Sequence, residues 1–113
     1  MDIKNWSKKI IFFFMRIPKE FKIANNKYTV QILKSVQNEK GEDVFGDHSS
    51  VTNTIRIAET VNGHELTEEQ ILNTFLHELF HAFQFFFNND AYEAEAQCYA
   101  NFMREYMSSA IYD

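Results

Sequence analysis

The chain has 113 residues, 45% hydrophobic and 24% charged, which is enough apolar material for one folded domain over residues 1–113 and excludes a disordered tail. A net charge of -5 argues against a nucleic-acid binder, because phosphate is met by a surplus of Lys and Arg. The lone cysteine can form no intrachain disulfide, which fits a reducing, cytoplasmic setting.

In chain order, Asp2 to Met15 reads as a helix, with Ile3, Trp6, Ile10 and Phe14 at helical spacing. The apolar run from Ile10 to Met15 is ended by Arg16. It is far short of the ~20 residues of a membrane span, and short of the 7–15 of a signal core. Phe21 to Ala24 reads as a strand and Asn25-Asn26-Lys27 as a turn. Tyr28 to Val36 alternates through Tyr28, Val30 and Ile32 and reads as a second strand. A polar loop follows from Gln37 to Asp43, then a brief edge strand at Val44-Phe45-Gly46. Thr54 to Ala58 alternates again and reads as a strand. Together these predict a small antiparallel sheet.

The second half reads as helical. Thr67-Glu68-Glu69-Gln70 is a capping box, in which Thr67 caps an amide while Gln70 reaches back. The helix it opens runs to about Phe87. Asn88-Asn89-Asp90 breaks it, and a last helix spans about Ala91 to Met107. Strands followed by helices make an α+β domain.

Residues 77 to 81 read His77-Glu78-Leu79-Phe80-His81, the HExxH pattern. Histidines at i and i+4 share one face of a helix and can grip one ion; the Glu beside the first stands near enough to take a proton from water. At 100° per residue, Leu72, Leu76, Leu79, Phe80 and Phe83 form one apolar face, with His77 and His81 roughly opposite. Ile71 and Phe85 fall near the motif, so the helix reads as buried on both sides, with the sheet on one and the last helix on the other.

A working zinc site takes three protein ligands and keeps one position for water. The last helix offers Glu93 and Glu95. Glu95 lies at the edge of the stripe made by Tyr92, Ala96, Tyr99, Met103, Tyr106 and Ala110, in line with Phe102 and Tyr106, whereas Glu93 lies with Gln97, Asn101 and Arg104 on the polar face. Helical rise also brings Glu95 level with His81 when the two helices turn back at Asn88-Asn89-Asp90. Pairing of Glu95 with Arg104 or a lysine is the plain alternative. Cys98 reads as a small core residue.

His77-Glu78-x-x-His81 followed by a helical Glu resembles the gluzincin branch of the zinc metallopeptidases. Glu95-Ala96-Gln97-Cys98-Tyr99-Ala100 resembles the E-A-x-x-F-A segment of the ImmA/IrrE-type peptidases, with Tyr99 in place of Phe. In size the chain is similar to the minigluzincins and to short zincin-like proteins of phages. The spacer from His81 to Glu95 is short for the group. The resemblance implies a zincin-like fold, in which a small sheet packs on the active-site helix and a second helix carries the Glu. It also implies zinc on His77, His81 and Glu95, with Glu78 as general base for hydrolysis of a peptide or protein substrate by a metal-bound water. Such a substrate would lie along a sheet edge near Val44 to Ala58.

His48 and His64 read as loop residues, either able to stabilise an oxyanion, and nothing in the spacing selects one. Phe85-Phe86-Phe87 reads as core or as a pocket wall, and Tyr92 and Tyr99 as core or as hydrogen-bond donors. A tail of Ser108 to Asp113 turned back over the cleft would be a latency device. Two further readings stand beside the peptidase. One is a catalytically inactive, metal-stabilised protein-binding module. The other is a helical domain in which the motif carries no chemistry.

Overall fold

The computed structural model describes residues 17–86, 102–103 and 105–112. The expected helix over Asp2 to Met15 lies outside them, as do Tyr92, Glu93, Glu95, Cys98 and Tyr99.

Strand β1 (Glu20–Ile23) turns through Ala24 and Asn25 into β2 (Asn26–Leu33). Both turn residues have positive φ, at 49° and 65°, and Ile23 faces Asn26, so this is the two-residue hairpin turn whose twist matches that of the strands. The turn sits one residue earlier than the Asn25-Asn26-Lys27 reading, because Asn26 and Lys27 already pair with β1. Two short antiparallel strands, β3 (Val36–Gln37) and β4 (Asp43–Val44), close the polar loop expected between them. The chain then enters β5 (Gly46–Ser49) and β6 (Thr54–Ala58).

The four long strands form one sheet in the order β1-β2-β6-β5. It is mixed, which corrects the antiparallel expectation: β2 and β6 run parallel, Thr29 facing Thr54 through to Leu33 facing Ala58. Parallel neighbours need a crossover of a dozen or more residues, and residues 34–53 supply it, carrying β3, β4 and β5 on the way. Strand β5 then returns antiparallel to β6 as the outer strand.

A second hairpin, β7 (Thr60–Val61) and β8 (His64–Glu65), turns at Asn62-Gly63 with φ of 51° and 80°. It delivers the chain to α1 (Glu68–Phe86). The capping box forms as expected: Gln70 N–H donates to Thr67 Oγ1 at 3.1 Å, and Thr67 N–H donates to Gln70 Oε1 at 2.8 Å. Among the described residues no helix is long and apolar enough to cross a membrane.

Helix α1 packs on β5 and β6 through Phe75, Glu78, Leu79, Ala82 and Phe83. That face is turned roughly 80° from the one expected. Leu76 and Phe80 are 48% and 51% exposed, and the His77–His81 side is exposed as well, so the helix is not buried on both sides. The apolar positions of α1 outnumber those one sheet can cover. Phe75, wholly buried against Phe21, and the small Ala82 settle which of them go inside.

Residues 102–103 and 105–109 are helical. Phe102 meets Phe83 with ring centroids 4.7 Å apart, and Tyr106 lies 6.4 Å from Phe75, so this segment runs antiparallel to α1. Phe102 therefore stands level with Phe83. The chain then runs along β1: Lys19 N–H donates to the Ile111 carbonyl at 2.8 Å, and Ile111 N–H to the Glu20 carbonyl at 2.9 Å. Residues 109–111 thus lie at the β1 edge of the sheet, away from β5, and do not turn back over the motif as the latency expectation has it.

Candidate metal centre

One turn of helix brings His77 and His81 together. Their Nε2 atoms are 3.0 Å apart and the rings meet edge to face at 4.6 Å. One ligand atom each from His77, Glu78 and His81 falls within a span of 4.8 Å. Two nitrogens that each lie about 2.1 Å from one ion are at most about 4 Å apart, so the pair fits a single zinc-sized cation. Both imidazoles are exposed, whereas Glu78 is 7% exposed.

The rotation of α1 is what buries Glu78, tucking its carboxyl toward β5. Burial pushes that carboxyl above its ordinary pKa; His77 and His81 pull it down, and Asp47 adds to the rise. A carboxyl held nearer neutrality is a stronger base than a solvated one.

Gln84, three residues after His81, accepts a hydrogen bond from its Nδ1–H at 3.2 Å. That leaves the lone pair of His81 on Nε2, toward His77, which is the tautomer a metal ligand needs. Helical spacing i to i+3 from His81 is the signal in the sequence that points to Gln84.

Two cavities meet at the motif. One, of about 630 Å³, is lined by Gly46, Asp47, His48, Ser50, His77, Glu78, His81, Gln84 and Phe85. The other, of about 480 Å³, is lined by Phe45, Gly46, Gln70, Asn73, Thr74, His77 and Glu78. Gly46, His77 and Glu78 belong to both, so together they form a groove between β5 and α1. Gly46 makes the close approach possible: a Cβ there would stand 2.6 Å from the Arg56 carbonyl and 2.6 Å from Thr74 Cγ2. Asp47 lines the groove but is engaged by Arg56, whose Nε donates to Asp47 Oδ1 at 2.8 Å and whose Nη2 bonds Oδ2.

The outer edge of β5 is the second feature. Ala58 N–H donates to the Phe45 carbonyl at 2.8 Å, which makes Phe45 and Ala58 a hydrogen-bonded pair. Antiparallel alternation then turns the backbone groups of Asp47 and Ser49 toward β6, and those of Gly46 and His48 outward. Among the described residues no strand pairs with that edge of β5.

His48 and His64 are both on strands rather than loops. His48 lies on β5 and lines the groove, while His64 stands exposed on β8 and is not among the groove residues. Burial first, and His81 second, hold the His48 imidazole below its usual pKa, with Asp47 acting the other way. Phe85 is a groove wall, 56% exposed, and Phe86 packs edge-on against Tyr28.

Compared with known proteins, the chain matches no family model, no curated protein and no solved structure.

Proposed function

We propose that the protein is a zinc-dependent metallopeptidase of the zincin-like class, acting on an extended peptide laid along β5. The observation that carries this reading is the meeting of two imidazole nitrogens at 3.0 Å beside a buried carboxyl, at the mouth of a groove. His77 and His81 would hold the ion. Glu95 is the proposed third ligand, on the resemblance and on the helical face it shares with Phe102 and Tyr106, both of which are buried. When bound, zinc would supply Lewis acidity toward a carbonyl oxygen and lower the pKa of water.

The chain's own residues would do the rest. Outward backbone groups of Gly46 and His48 hold the substrate extended without demanding much sequence. Glu78 takes a proton as the water oxygen bonds to the carbonyl carbon. It returns that proton to the nitrogen as the C–N bond breaks, so that the amine leaves neutral.

Purified protein is expected to retain zinc by atomic absorption and to cleave a peptide library until a chelator removes the metal. Glu78→Gln should keep the metal and lose at least ~100-fold in cleavage. Glu95→Ala should lose zinc more readily than Glu93→Ala; the opposite ranking would move the third ligand. A protein that refuses added zinc ends the reading. One that binds zinc but cleaves nothing is the metal-stabilised binding module.

A further inference from the structure

His48 and His64 are the two histidines outside the motif, and only His48 faces the groove. Its ring is stacked on Tyr28, with centroids 5.7 Å apart and planes 17° from parallel. Tyr28 is wholly buried. Its hydroxyl lies 3.2 Å from His48 Nε2 and has no other hydrogen-bond partner among the described residues. A buried hydroxyl that fails to donate loses the bond it had with water, so the Tyr28 O–H donates and His48 Nε2 accepts. A neutral imidazole that accepts at Nε2 carries its proton on Nδ1. That Nδ1 has no partner among the described residues. It is not a buried unsatisfied atom, and His48 lines the groove, so we take this N–H to be available there.

We propose that His48, held by Tyr28 as its Nδ1–H tautomer, donates a hydrogen bond to the scissile carbonyl oxygen of a peptide lying along β5. This rests on the metallopeptidase reading and deepens it. The bond strengthens as that oxygen gains negative charge, and the proton stays on Nδ1 throughout. Tyr28 acts through His48 and is a positioning residue. It sits in the core between Phe21, stacked 5.5 Å away, and the His48 ring, so the donor is fixed before substrate arrives. The outward backbone groups of His48 anchor the same peptide, so one residue places the chain and polarises it.

The test uses zinc-loaded full-length protein and a cleaved library peptide. His48→Ala should retain zinc, lower kcat on the order of 10²-fold and leave KM nearly unchanged. His48→Gln, which keeps an N–H donor, should recover part of the loss. Tyr28→Phe should lower kcat by a smaller factor. Nitrogen-15 NMR of zinc-free wild type should find the His48 proton on Nδ1, and Tyr28→Phe should shift it toward Nε2. Wild-type kcat in His48→Ala, with Glu78→Gln inactive, would overturn the inference and leave the peptidase standing. Loss of zinc from His48→Ala would overturn it by making His48 a ligand, and a proton on Nε2 in wild type would overturn it too. A wild type inert toward the whole library overturns the peptidase reading and this inference with it.

Discussion

Glu78 sits where water is scarce, and that sets how its carboxyl responds to pH. A carboxyl whose pKa is raised by folding stabilises the native state below its ordinary value and loses that contribution as pH climbs through the raised one. Zinc-free Glu78→Gln is therefore expected to melt at a higher temperature than wild type at pH 7 to 8, with the gap closing as pH falls toward 4. Calorimetry across that range checks it, and a gap that widens on acidification would mean Glu78 is not held above its usual pKa. Gln84 makes a separate prediction. By accepting from His81 Nδ1–H it keeps the lone pair on Nε2, so Gln84→Ala should weaken zinc binding roughly 10-fold or more in competition titrations. At this scale the closeness of His77, Glu78 and His81 was legible, because their spacing on one helix fixes it. The choice of His48 over His64 was not, since it rests on the groove and on Tyr28, which lies 20 positions away in sequence.

Local signals served unevenly for the elements. The capping box was legible because its partners are three residues apart, and both bonds form. Thr67→Ala is expected to cost about 1 kcal/mol by chemical denaturation, with no change in zinc affinity. The Asn62-Gly63 turn is the strongest short hairpin signal there is, yet strands of two residues leave no alternation to read around it. The period of α1 was right and its phase was wrong. Leu76 and Phe80 are as apolar as Phe75 and Ala82, so composition cannot say which pair meets the sheet. Gly46 bears on the same contact from the other side. Gly46→Ala should cost ~1–3 kcal/mol by prying β5 from α1. It should also weaken cleavage through the groove it narrows, and full stability with full activity would show that the approach is not needed.

Across the whole molecule, the sheet joins two edges with different roles. Among the described residues strand β5 is an unpaired outer strand beside the groove, while β1 is met by residues 109–111. Deleting residues 109–113 removes the Lys19 and Ile111 backbone bonds and the 2.9 Å bond from Lys22 N–H to Ser109 Oγ. That should cost about 2–3 kcal/mol in urea, with no gain in hydrolysis. A gain would restore the idea of a latent tail.

By itself the sequence determined what depends on near neighbours: the α+β order of elements, the cap of α1, and the pairing of two imidazoles one helical turn apart. Only tertiary structure decided the parallel join of β2 to β6, the phase of α1 that buries Glu78, and the Tyr28–His48 contact. Each of these depends on which surfaces compete for the same core across long stretches of chain, and neither spacing nor composition records that competition.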